Sequence, residues 1–370
     1  MHNIKQKFLK FTLSFLSLIL ISGCLQSSKK EPIKNIPATK FVEIALILPM
    51  SGPDADLGKE YAKMIKRGLS EGAKSKIRIM TYDSASQETL LESVNKILDQ
   101  DAEIIIGPIY SEPTRMLAEK LKHKKPIIVS LSNNPVLADE NVYIMGHAPM
   151  KQLLQLTNYF LVNNYKNYLI LMPEGKHTNM VSAILKDMIT KGNGNLASLE
   201  LYDNENAENI NNALKKTSDI VDELNENDDN LTQNVVIMAD DPTLLKTMLQ
   251  TAKKFNLDKK AVLAGDNRID VDDSANLTFT SSLKFIEVDF PSKVKAQDIK
   301  TNSFMHALAY DAGKMISEFI GPEFNREEFL NKMNNETFEG VSGTIKFTDY
   351  IAIRQYDIIV KKNGVYNKKD

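Results

Sequence analysis

The stretch Ile44-Ala45-Leu46-Ile47-Leu48-Pro49-Met50-Ser51-Gly52-Pro53 decides how this chain is read. Five consecutive apolar residues are too few for an ordinary helix and suit a strand buried on both faces. Pro49, Gly52 and Pro53 then stop the strand and turn the chain. Beyond the turn, Leu57 to Ser70 carries Tyr61, Ile65 and Leu69, the four-residue spacing of one helix face. The unit is strand, turn, helix.

Working outward, the unit repeats. Ile77-Arg78-Ile79-Met80 predicts a strand and Gln87 to Leu98 a helix. Ile104-Ile105-Ile106 predicts a strand, Ser111 opens a helix to about Leu121, and Ile127-Ile128-Val129 is again a strand. After Pro149 the alternation resumes, with a helix from Leu153 to Val162 and a strand at Leu169-Ile170-Leu171. A helix comes next, from Met180 to Ile189, then a strand from Leu196 to Leu201 and a helix from Ile210 to Leu224. Strands Val235-Val236-Ile237-Met238 and Val262-Leu263-Ala264 flank a helix that starts near Pro242. Repeated strand and helix demands parallel sheets covered on both faces, and 370 residues suit two such lobes. The tail predicts helices at Phe304 to Ile320 and Glu327 to Met333, then two antiparallel strands, Thr344 to Phe347 and Ile351 to Val360. Asp219 to Asn230, acidic and rich in Asn, reads as a solvated helix end and loop.

Three segments together carry a family pattern. They are Ile44 to Pro53 with Gly58 after it, Ile105-Ile106-Gly107-Pro108-Ile109-Tyr110-Ser111, and Phe338-Glu339-Gly340-Val341-Ser342-Gly343-Thr344-Ile345-Lys346-Phe347. In this order they resemble the type I periplasmic binding proteins of the leucine-binding kind. A fourth segment, Pro126-Ile127-Ile128-Val129-Ser130-Leu131-Ser132-Asn133-Asn134 with Asn141-Val142-Tyr143-Ile144-Met145-Gly146-His147-Ala148-Pro149 after it, is similar to the subset of penicillin-binding-protein activator lipoproteins. The characterised activators carry a helical-repeat domain ahead of this fold, where this chain has a short spacer.

The resemblance implies an α/β fold of two doubly wound parallel-sheet lobes joined by three crossovers. Lobe one would be 41–147 plus 302–338, lobe two 148–301 plus 339–362, with 363–370 a tail. Open α/β sheets bind ligands at the carboxyl ends of their strands. The residues expected there are Ser51, Tyr110, Ser111, Ser132 and Asn133 from lobe one, with His177 and Asp266 from lobe two. Ser111 is read two ways, as a helix N-cap or as part of a carboxylate site at a helix N-terminus. Ser132 and Asn133 either donate to a ligand or close a turn before Pro135. Asp266 either meets a ligand ammonium or caps a turn beside Gly265.

The chain departs from amino-acid binders. Those carry a Tyr-Gly pair after the first strand of lobe two, where this chain has Pro173-Glu174-Gly175-Lys176-His177-Thr178. Leu131 is bulky where relatives are small, and is expected to intrude on the cleft.

The N-terminus sets the compartment. Lys5, Lys7 and Lys10 precede an apolar run, Phe11 to Ile21, and then Ser22-Gly23-Cys24. The run is too short for a permanent membrane span and reads as a signal peptide over 1–23. The only cysteine stands after two small residues, which resembles a lipobox. Cys24 is therefore expected to carry lipid that anchors the protein on the periplasmic side of the outer membrane. Residues 24–40, polar with two prolines, are expected as a flexible linker.

Formal net charge is −2, which excludes the basic footprint of a nucleic-acid binder. No G-x-S-x-G elbow, P-loop or H-E-x-x-H motif is present, so no enzyme is expected. Gly340-Val341-Ser342-Gly343 is no elbow, because it leads into a strand where a helix is needed. The five His have no metal-ligand spacing, so no metal site and no cofactor are expected. Two functions stay open. One is a non-enzymatic regulator of peptidoglycan synthesis that docks on a penicillin-binding protein. The other is the substrate-binding lipoprotein of an ABC permease for branched-chain amino acids or amides.

Overall fold

The computed structural model describes residues 41–146, 149–226, 234–240, 242–270, 275–282 and 304–369. The expected signal peptide, Cys24 and the linker lie outside the described residues.

The first sheet starts with strands β1 (Val42–Leu48), β2 (Ile77–Asp83), β3 (Ile104–Ile106), β4 (Ile127–Ser130) and β5 (Val142–Ile144). Helices α1 (Ala55–Gly72), α2 (Gln87–Asp99) and α3 (Ser111–Lys120) connect the first four strands. The five strands are parallel, in the order β2-β1-β3-β4-β5. The apolar runs of β1, β3 and β4 are continuous because both faces are covered. Ile44, Leu46 and Leu48 pack on the α1 side with Ile65 and Leu69, while Ala45 and Ile47 pack on the α2 side with Leu90 and Ile97. Each such aliphatic side chain contributes about 1.5–3 kcal/mol on full burial.

The second sheet repeats the plan with β6 (Asn167–Pro173), β7 (Asn195–Tyr202), β8 (Asn234–Met238), β9 (Val262–Gly265) and β10 (Leu277–Ser281), in the parallel order β7-β6-β8-β9-β10. Its helices are α4 (Pro149–Val162), α5 (Lys176–Lys191), α6 (Ala207–Glu226), α7 (Pro242–Lys254) and the short α8 (Leu257–Lys260). Leu169 and Leu171 face α6 and α7, and Tyr168 and Ile170 face α4 and α5.

The chain then returns to lobe one. Helices α9 (Phe304–Ile320) and α10 (Arg326–Asn335) join the core of β1, β3 and β4. The α1 and α9 backbones touch: a Cβ on Gly68 would lie 2.1 Å from the Tyr310 carbonyl oxygen, and one on Gly313 2.1 Å from that of Ile65. Strands β11 (Thr337–Gly340), β12 (Gly343–Thr348) and β13 (Ile351–Ile353) extend the first sheet beyond β5. Strands β14 (Asp357–Lys362) and β15 (Val365–Lys369) complete the second, with β14 antiparallel to β10. The chain thus passes between lobes three times, after β5, after β10 and at 354–356.

This corrects the expected lobe boundaries. Residues 339–353 belong to the first sheet, and lobe two regains the chain only at Asp357. The expected tail 363–370 contains β15. The stretch Ile351 to Val360 is not one strand. Arg354-Gln355-Tyr356 breaks it, so that Ile351 pairs with Ile144 of β5 while Ile358 pairs with Thr280 of β10.

Candidate functional site

In each sheet the strand order reverses at one point, β1/β3 in lobe one and β6/β8 in lobe two. At such a point two loops leave in opposite directions and open a crevice at the carboxyl edge. In lobe one these loops are 49–54 and 107–110.

Ser51 lies in the first loop and is exposed. Its Oγ donates to Asp83 Oδ2 at 2.6 Å, at the end of β2. Met50 N and Ala85 N donate to Asp83 Oδ1 at 2.7 and 3.0 Å. Desolvation pushes the Asp83 carboxyl up, but these hydrogen bonds outweigh it and hold the group below the usual carboxylate range. The Ser51 proton is thus committed, and its oxygen lone pairs remain as acceptors. Tyr110 lies in the second loop and its Oη donates to Asp54 Oδ2 at 2.9 Å, which ties the two loops together. Tyr110 is 42% exposed and stands at this edge.

Ser111 is the first residue of α3, and Tyr110 is the N-cap, without a side-chain cap bond. The N-cap reading of Ser111 is therefore not what the geometry shows. Its Oγ lies 3.1 Å from Ser132 Oγ, joining the loops after β3 and β4. Ser132 is buried, and its Oγ accepts from Asn134 N at 3.2 Å. Asn134 Oδ1 in turn accepts from Val136 N at 3.2 Å. The turn before Pro135 is closed by Ser132 and Asn134, which leaves Asn133 exposed at the rim. Leu131 does not intrude on the cleft: its side chain is buried in the lobe-one core. The reason is local. Leu131 N donates to Pro108 O at 3.0 Å, which keeps the residue in the β4 register and turns it inward.

In lobe two, Asp266 caps a 3₁₀ turn, Asn267–Ile269, at the end of β9. It is buried, and Arg268 engages it as a fork: Nε lies 2.9 Å from Oδ1, and Nη2 2.6 Å from Oδ2. Arg268 N also donates to Oδ1 at 2.9 Å. The charge expected to meet a ligand ammonium is thus balanced within the chain. A second buried carboxylate, Asp240, stands after β8 and accepts from Tyr202 Oη at 2.8 Å. Burial, and then the charge of Asp240, raise the Tyr202 phenol well above its ordinary value. Gln152 of α4 is fully buried, and its Oε1 accepts from Asn267 N and Thr280 Oγ1, both at 3.1 Å. His177 is the second residue of α5, the helix after β6.

The structure therefore brings Ser51, Tyr110, Ser111, Ser132 and Asn133 to one edge of lobe one, and sets Asp266 and His177 at the corresponding edge of lobe two. Sequence reasoning missed Asp83, Asp240, Arg268 and Gln152. Asp83 and Asp240 carried a readable signal, a carboxylate at or just beyond a strand's carboxyl end. Gln152 carried none, since its partners are 115 and 128 residues away.

The chain is 40% identical over 369 residues to an uncharacterized protein of Rickettsia prowazekii, RP748, covering 99% of this chain and 98% of the relative. No family model matches the chain. Solved structures share the fold. A branched-chain amino acid ABC transporter periplasmic ligand-binding protein from Burkholderia xenovorans superposes with a TM-score of 0.72 at 12% identity, covering 89% of this chain and 94% of the other. A solute-binding protein of an ABC transporter from Rhodopseudomonas palustris, in complex with 3,4-dihydroxybenzoic acid, superposes at 0.71 with 15% identity over 89% and 96%. The branched-chain amino acid transporter substrate-binding protein LivJ from Streptococcus pneumoniae, in complex with isoleucine, superposes at 0.65 with 17% identity over 89% and 99%. The fold is that of the type I periplasmic binding proteins, two α/β lobes with mostly parallel sheets.

Proposed function

We propose that this chain, which belongs to one family with the Rickettsia protein RP748, is a lipid-anchored solute-binding protein that delivers a small ligand to an ABC permease. The observation that carries the reading is the paired switch-point geometry. Each lobe presents a crevice at the carboxyl edge of its sheet, and three crossovers join the lobes, the arrangement in which a ligand is held by closure. The likeness to solute-binding proteins supports it. Branched-chain amino acids or amides are the first solutes to test. Anchoring through Cys24 on the periplasmic side of the cell envelope belongs to the same proposal, and mass spectrometry of the membrane fraction tests it.

The functional test is a thermal-shift screen of the full chain against amino acids, amides and small organic acids. A ligand at a hundred times its Kd is expected to stabilise the native state by about 2.7 kcal/mol. Silence across the panel would sink the reading.

One observation favours a second reading, a regulator that docks on a penicillin-binding protein. No tyrosine stands at Pro173-Glu174-Gly175, and Ser51, Ser132 and Asp266 are already engaged within the chain. A cleft with so many internal partners serves a scaffold as well as a receptor. A silent ligand screen with retention of a penicillin-binding protein from the same cell would favour this second reading.

A further inference from the structure

Arg354 stands where the chain makes its third pass between the lobes. It is 5% exposed, a charged side chain buried in the hinge. It touches the other two passes as well. Its Nη1 donates to the Gly146 carbonyl at 3.3 Å, just beyond β5, and its guanidinium carbon lies 5.5 Å from the ring centroid of Phe304, where the chain re-enters lobe one.

Two of its nitrogens, Nε and Nη2, are buried without a hydrogen-bond partner among the described residues. They are not a random pair. Their N–H groups lie parallel along one edge of the guanidinium plane, the edge that grips both oxygens of a single carboxylate. Burying a cation without a hydrogen-bonded partner is costly, and burial lowers the Arg354 pKa while Tyr356 and the Asp311 carboxylate act in the opposite direction. Asp311 does not satisfy the fork. Its Oδ1 accepts from Val341 N at 2.9 Å, and its Oδ2 from Ser342 N and Ser342 Oγ, both at 2.6 Å. The Nη1 bond to Gly146 O leaves the Nε–Nη2 edge without an anion among the described residues. The guanidinium-and-carboxylate fork of this fold is closed at Arg268–Asp266 and open at Arg354.

We propose that Arg354 is the anion-recognition residue of this protein: its Nε–Nη2 edge takes the carboxylate of a small organic acid at the hinge, when the lobes rotate about the three crossovers. The proposal rests on the solute-binding reading and sharpens it, because it makes the acid group, and not an ammonium, the feature read at the pivot. Gly146 fixes the guanidinium plane through Nη1, and Phe304 lies beside the group. Binding of the acid then couples all three passes through one side chain, which links occupancy to lobe position.

The test uses matched acid and amide pairs, L-leucine with L-leucinamide and benzoate with benzamide, and inorganic phosphate alone. Affinity for the full chain is measured by calorimetry. An acid is expected to bind at least about ten-fold more tightly than its amide, since a charge-assisted fork is replaced by a neutral contact. Arg354→Lys keeps the charge but loses the fork, and is expected to weaken the acid about ten-fold and so to narrow the gap between acid and amide. Arg354→Met is expected to erase the preference, a loss that a merely structural arginine, which does not touch the ligand, would not produce. Equal binding of acid and amide by the parent protein, or undiminished acid binding in both variants, overturns the inference and leaves the solute-binding reading standing. Arg354-dependent binding of phosphate with no response to either acid overturns the organic-acid assignment. No response to any compound overturns both. If Arg354→Met fails to fold, Arg354→Lys and the acid-to-amide ratio still decide.

Discussion

Asp311 shows how much one side chain settles in this fold. It lies inside α9, buried, and desolvation raises its carboxyl above the usual range while hydrogen bonds from Ser342 and Val341 pull it back. Those bonds hold the β11–β12 turn, because Val341 N and both donors of Ser342 end on the one carboxylate. Ser342 O in turn accepts from Ser282 Oγ at 2.7 Å, just beyond β10 in the other lobe. Asp311→Asn removes a buried charge, yet it is expected to destabilise the protein by about 1–3 kcal/mol, read from a urea titration, since the amide offers one acceptor oxygen to three donors. Such residues were not legible in the sequence. Asp311 sits in an apolar helix with no local partner, and Arg354 sits in what reads as a strand. The lobe-one rim was legible, because Ser51, Tyr110, Ser111 and Ser132 lie where apolar strands give way to turns. What those hydroxyls bond to was not, since Asp83 and Asp54 reach them from other loops.

At the scale of elements, the packing of α1 on α9 is a tight constraint on lobe one. Gly68 and Gly313 each lie against the opposite backbone, so no side chain fits between the helices there. Gly313→Ala is expected to force the pair apart and cost about 1–3 kcal/mol, although alanine favours helix, and a lowered melting temperature checks it. Strands β1, β3, β4, β6 and β8 were legible because both faces are covered and their apolar runs are unbroken. Strand β10 was not: Leu277-Thr278-Phe279-Thr280-Ser281 is short and half polar, and its hydroxyls are absorbed by burial, as with Thr280 on Gln152. Strands β11 and β15 escaped for the same reason, being short, polar and on the outside of their sheets. The break at Arg354 was hidden too, because which sheet each half of Ile351 to Val360 joins depends on partners more than 70 residues away.

At the scale of the molecule, the two sheets are built from interleaved stretches of chain, and this has a consequence for its biosynthesis. A growing chain emerges from its N-terminus, so β1 to β5 exist long before α9 does. Until residue 320 has emerged, the face of β1 that carries Ile44, Leu46 and Leu48 lacks the cover that Leu308, Ala312 and Ile316 provide. The first lobe to be made is among the last to be finished, and pairings over such sequence distances form slowly. With residues 1–40 removed from both, a chain ended at residue 300 is expected in the insoluble fraction and one ended at residue 370 in the supernatant, and sedimentation of the two from matched cells checks it. A lobe that cannot close until the last fifth of the chain arrives stays open meanwhile, and under the export proposed above an open chain is what a secretion channel threads.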